Sequence, residues 1–197
     1  SEAEVCNGIV EAAMGASGGT LRVYKVWSYF IDTVHHARSG SNTKIDHTSA
    51  LDSSGSMSGY AYELGISNRI GPDVFVSVRN NGGTRSHACW GFIHEGDEFE
   101  QQNRVLANEL VEAICNATDL KNRGVHGDSS PNRNDYRCSN TGKLAFYSLD
   151  ENVNKAKYRV LLEIGDNGAS YDFLRNQENQ KRIGEAIQKV LERVLNN

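Results

Sequence analysis

Ser77, Arg79, Asn80 and Asn81 are residues whose types and spacing suit chemistry. They belong to or follow Val74-Phe75-Val76-Ser77-Val78, a β-branched and aromatic run set between Gly71-Pro72 and Asn81-Gly82-Gly83. Such a run reads as a strand buried on both faces of a parallel sheet. In open α/β sheets, ligands collect beyond the carboxyl ends of the strands, where these side chains fall. An arginine there can grip a carboxylate or face an oxyanion, and asparagines can both donate to and accept from a substrate.

Other constellations are weaker. Histidines stand at 35, 36, 47, 87, 94 and 126. On an extended segment His35 and His36 point opposite ways, so they do not share a metal. His94-Glu95 follows a strand end and His126 follows the turn Arg123-Gly124-Val125, so a zinc hydrolase built on these three is an alternative, beside the plainer reading of surface or capping histidines. No nucleophile elbow and no phosphate loop is present: Gly82-Gly83 has no lysine, and the serine-rich stretch Gly55 to Gly59 is a polar loop. Cys6, Cys89, Cys115 and Cys138 are widely spaced without a C-x-x-C pair, leaving free thiols or two disulfides open. Asn116-Ala117-Thr118 fits a glycosylation sequon, a triplet that often arises by chance.

The elements that must position these groups alternate. Ser1 and Glu4 form a capping-box pattern ahead of Val5, Ile9, Val10 and Met14 at helical spacing. Leu21 to Val26 alternates like a strand, and 38–59 is a polar excursion rich in Ser, Gly and Thr. A helix over Tyr60 to Ile70 leads to the run above, with a strand at His87 to Ile93 beyond it. Glu98 to Ala117 places Val105, Leu106, Leu110, Val111, Ile114 and Cys115 on one helical face. Leu144 to Leu149 and Tyr158 to Ile164 read as strands, and a last helix from Gln177 carries Ile183, Ile187, Val190 and Val194. The expected architecture is α/β: a single domain over 1–197, with a twisted, mainly parallel sheet and helices on both faces.

Composition narrows the function. The chain has 197 residues and a formal net charge of -4, with a sequence pI near 5.9 and a mean hydropathy of -0.55. Without a basic patch it has no general pull toward nucleic acid, and its apolar runs are too short to insert in a membrane. It starts at Ser1 rather than Met, which reads as a processed or excised chain.

Pro72 to Asn80, Leu120-Lys121-Asn122-Arg123-Gly124-Val125, Val160-Leu161-Leu162-Glu163-Ile164-Gly165 and Arg175 to Ile187 together resemble one family. Its members carry "ADLFVSIHAN", "LKDRGV", "VLVELGF" and "NPEYQQKIAEAI" in the same order. These are the zinc-dependent N-acetylmuramoyl-L-alanine amidases of type 3, which cut peptidoglycan between the lactyl group and the stem peptide.

That resemblance implies an extracellular or cell-envelope protein that meets peptidoglycan or muropeptides and uses zinc held by His, Glu and His. Glu163 occupies the catalytic glutamate position, and a carboxylate inside so apolar a run is costly without a purpose. Pairing with Arg159 is its structural alternative. Glu2 corresponds to the metal-binding glutamate of the first helix, with Glu4 as its alternative, although acidic residues favour first helical turns for dipole reasons alone. The family's first strand and its histidine would precede Ser1. Arg79 replaces the "SIHAN" histidine, and a guanidinium cannot ligate zinc. The resemblance thus supports either a peptidoglycan amidase or a non-catalytic relative that binds peptidoglycan fragments or a protein partner through the same groove, with Arg79 holding a carboxylate.

Overall fold

The computed structural model describes residues 2–19, 21–25, 59–129 and 145–196. Strand β4 (Tyr158–Asp166) is the central support of its sheet. The elements before it are α1 (Glu2–Gly15), α2 (Gly59–Ile70), β1 (Val74–Asn81), β2 (Ala88–Ile93), α3 (Glu100–Ala117), β3 (Lys121–Gly127) and a 3-10 turn at Tyr147–Leu149. After it come α4 (Tyr171–Arg175) and α5 (Gln177–Leu195). The strand order is β1-β4-β2-β3. β1 runs parallel to β4, and β2 parallel to β3, while β2 and β4 are antiparallel. Two of the three pairings are therefore parallel, as the alternating elements implied.

Alternation along the strands separates two chemical faces. Val74, Val76 and Val78 of β1, Val160, Leu162 and Ile164 of β4, and Cys89 and Ile93 of β2 join the main core. Leu106, Ala107, Leu110, Val111 and Ile114 of α3 cover it, together with Ile183, Ile187 and Val190 of α5 and Val5 and Ile9 of α1. At about 25 cal/mol per Å² of apolar surface removed from water, this face dominates the stability. The other face carries Arg79, Glu163 and Trp90.

α5 starts where Asn176 accepts hydrogen bonds from the backbone N–H groups of Glu178 and Asn179 (2.9 and 3.3 Å), which satisfies donors that a helix start leaves open. Its crossing with α1 is close. A Cβ at Gly184 would lie 2.6 Å from both Ile9 O and Ala13 N, so only glycine lets the two backbones approach this far. That contact holds α1, and with it Glu2, against the sheet.

Several expectations are corrected. Among the described residues β1 is an edge strand, paired with β4 alone, and it is mostly half-buried, with only Ser77 and Asn80 buried along it. The doubly flanked strand is β4, where every residue from Arg159 to Asp166 except Glu163 is buried. Leu120 to Val125 enters a strand rather than a turn: Gly124 takes φ +75° where the β2–β3 register shifts, a bulge that the Arg-Gly-Val pattern resembled. Tyr147–Leu149 form a 3-10 turn and 145–146 no regular element, in place of the expected strand, and 21–25 form no strand. Val105 is 51% exposed, since it lies beside the α3 stripe rather than in it. Val26, Leu144, Cys138, His35, His36, His47 and most of the polar excursion at 38–59 fall outside the described residues.

Candidate functional site

Glu163 stands in register with Arg79 on the β1 side and with Trp90 on the β2 side. Registered residues on neighbouring strands share a face, so guanidinium, carboxylate and indole form a row across the sheet near the carboxyl ends of β1 and β4. Glu163 and Trp90 are half-buried. An acid inside an apolar strand thus sits at the rim, where it meets both protein and solvent.

The bulge in β1 organises what surrounds it. The register shifts between Arg79 and Asn81, which pairs with Asp166. Because the ladder is interrupted, the Asn80 N–H turns to the Glu2 Oε1 (3.2 Å), while its side-chain Nδ2 donates to Ile164 O (2.8 Å). The next residue, Asn81, donates from Nδ2 to Glu163 Oε2 at 2.5 Å. Two consecutive asparagines therefore hold one carboxylate each. Cys6 donates to Asn80 Oδ1 (3.7 Å), and its thiol is pushed up to about 12 by burial first and by the charge of Glu2 second. It is not a nucleophile.

The loops at the rim are tied by Asp166. Its Oδ1 accepts from Gly168 N (2.8 Å) and Ala169 N (3.0 Å). Its Oδ2 accepts from Thr84 N (2.9 Å), Thr84 Oγ1 (2.9 Å) and Arg85 N (3.1 Å). Donors to the ionised form, Ala169 N foremost and then Gly168 N, hold the carboxyl well below its usual range. One side chain thereby fastens the loop after β1 to the turn after β4.

Nearby, His87 Nδ1 meets Ser170 Oγ (2.8 Å) and Nε2 meets Asp119 Oδ1 (2.9 Å). This line has the composition of a catalytic triad, but Ser170 is 1% exposed and its Oγ already accepts from Asp166 N (3.1 Å). It is a structural tie.

Of the residues singled out by sequence, Glu163, Arg79, Asn80, Asn81 and Glu2 converge on this end of the sheet. Asn80 is buried and bonds inward, to Glu2, Ile164 O and Cys6. Arg159 does not pair with Glu163. It is buried and donates to Asp97, to Leu149 O (2.9 Å), to Asn154 O (3.3 Å) and to Ala156 O. The histidine alternative also fails to converge: His94 is buried with Nδ1 at 2.8 Å from Asp128 Oδ2, whereas exposed His126 meets Arg123 O (2.9 Å).

The described residues do not fit a zinc ion. A guanidinium occupies the histidine position, the Glu2 and Glu163 carboxylates are engaged by Asn80 and Asn81, and no group of three His, Cys, Asp or Glu side chains close enough to hold an ion occurs among the described residues. Sequence reasoning missed Asp166 as the loop clamp and Asn81 as the partner of Glu163. Asp166-Asn167-Gly168 at a strand end was a readable turn signal; the Asn81 contact depends on the bulge and had no local signal.

Residues 40–193 match the family model described as N-acetylmuramoyl-L-alanine amidase. Among solved structures, the chain is similar to the N-acetylmuramoyl-L-alanine amidase AmiC2 of Nostoc punctiforme, with TM-score 0.50, 20% identity, and coverage of 68% of this chain and 64% of that one. It is similar to the CwlD amidase from Clostridioides difficile, solved with the GerS lipoprotein, with TM-score 0.57, 18% identity, and coverage of 99% and 86%. It is also similar to Cwp6 from Clostridium difficile, with TM-score 0.64, 18% identity, and coverage of 98% of this chain and 25% of that one. At these identities the likeness concerns the fold, and the chain spans under two thirds of the Nostoc protein. No match was found among curated proteins.

Proposed function

The chain belongs to the N-acetylmuramoyl-L-alanine amidase family, and from that premise we propose that it takes the muramoyl–L-alanine linkage of peptidoglycan at the rim formed by Arg79, Asn81 and Glu163 and hydrolyses the amide. The observation carrying this reading is the registered pair Arg79 and Glu163 at the carboxyl ends of β1 and β4. Glu163 takes the proton of the attacking water, and Arg79 faces the charge that develops on the carbonyl oxygen. As the C–N bond breaks, the proton on Glu163 passes to the leaving amine. Asn81 holds the carboxylate in place throughout.

The setting is the cell envelope or the extracellular space, where peptidoglycan is found. Among the described residues, no helix is long and apolar enough to cross a membrane.

A second reading is favoured by Arg79 standing where the family has a histidine. In it, the same rim binds muropeptide without cutting it, the guanidinium pairing with a stem-peptide carboxylate.

The test is release of stem peptides from purified peptidoglycan by the full chain and by Glu163→Gln, with sedimentation on peptidoglycan as a binding readout. The hydrolytic reading expects release by the unmodified chain and none by the variant, while both still bind. An active Glu163→Gln would remove Glu163 from its role. Binding without release by either protein establishes the second reading. Elemental analysis of the same preparation reads whether zinc accompanies the activity.

A further inference from the structure

Cys89 lies on β2, fully buried on the sheet face that α3 covers. Cys115 lies in the last turn of α3, half-buried and packed against the same core. Both thiols are free. They face one another across the helix–sheet contact: a Cβ at Gly91 would lie 3.1 Å from Val111 Cγ2 and 3.3 Å from Ala107 Cβ, Cys89 precedes Gly91 by two residues on the same strand face, and Cys115 follows Val111 by one helical turn. No other part of the proposed site uses them.

We propose that Cys89 and Cys115 form a covalent modification site, closing a disulfide when the protein meets a low-molecular-weight disulfide such as oxidised glutathione. The two thiols differ in a way that orders the steps. The neighbouring Cys89 thiol lowers the Cys115 thiol below its usual range, whereas the neighbouring Cys115 and then burial raise Cys89 well above it. Cys115 is also the thiol with a solvent-exposed part, so it reacts first.

The Cys115 thiolate attacks one sulfur of the small disulfide, forming a mixed disulfide and expelling one thiolate. Cys89 then loses its proton and attacks Cys115 Sγ, releasing the second small thiol. Two protein thiols become one S–S bond, and the oxidant leaves as two thiols carrying the two protons.

The bond would link the end of α3 to β2 at the residue registered with Ile164, next to the pair Trp90 and Glu163. It closes the loop between 89 and 115 and stabilises the fold chiefly by restricting the unfolded chain.

The full chain is incubated with oxidised glutathione, denatured in the presence of an alkylating reagent, digested and read by mass spectrometry. The expected result is a peptide carrying Cys89 linked to one carrying Cys115, a melting temperature higher by several degrees, and reversal of both by dithiothreitol. Cys115→Ala should abolish the link and the shift. Cys115 alkylated after oxidation, left as a stable glutathione adduct, or linked instead to Cys6 or Cys138 would overturn the assignment. The peptide analysis of the unmodified chain decides the matter even if the variant folds poorly.

Discussion

The Asn81 amide donates to the Glu163 carboxylate across the β1–β4 pair at 2.5 Å, and it reaches there only because β1 bulges between Arg79 and Asn81. The rim carboxylate is therefore positioned by the strand that also presents Arg79.

Removing that donor should show in turnover before it shows in stability. A hydrogen bond to a charged group contributes about 1.5–3 kcal/mol, so Asn81→Ala is expected to lower the rate of stem-peptide release by roughly 10- to 100-fold. Circular dichroism should be unchanged. Full activity in Asn81→Ala would show that Glu163 is oriented by something else.

Arg159 gives the opposite pattern. It is buried among carbonyls and paired with Asp97, so Arg159→Met leaves a buried carboxylate without its cation. A loss of about 3–5 kcal/mol is expected, read as a shift in the urea midpoint. Glu163→Gln, at the half-buried rim, should move that midpoint far less.

The α1–α5 crossing should be intolerant of a single methyl group. Gly184→Ala brings a Cβ to 2.6 Å from two backbone atoms of α1, and backbone yields less readily than a side-chain end. A cost of about 1–3 kcal/mol is expected, measured by denaturant unfolding. A neutral substitution would mean that α1 can move away without loss.

Acid should weaken the rim through Asp166. Its folded carboxyl is held below the ordinary 3.8 by the N–H and hydroxyl donors of two loops. A depressed folded value means that the stabilisation is complete above the unfolded value and disappears as pH falls below it toward the folded one. The urea midpoint of the unmodified chain should therefore drop on acidification from about pH 5 to about pH 4 and below. Asp166→Asn should be less stable at neutral pH, since its amide nitrogen cannot accept, and its midpoint should fall less with acid.

Much of this molecule was legible in the chain itself. The periodicity of α3 and α5 revealed which faces would be buried, and the short apolar runs around Val76 and Leu162 revealed two strands, because burial leaves a pattern with the repeat of the element that is buried. The segments flanking Arg79 and Glu163 carried the family resemblance for the same reason: local order along the chain survives where the fold requires it. What only tertiary structure decided was which strand lies in the middle and who partners whom. β4 is central because β1 and β2 both pair with it, and nothing local in Tyr158 to Asp166 states that. Arg159 and Glu163 lie close in sequence and on the same face of one strand, yet the arginine turns to Asp97 and the glutamate to Asn81. Those choices are made by groups distant in sequence, brought within hydrogen-bonding reach by a bulge and by helices packed on the far side of the sheet.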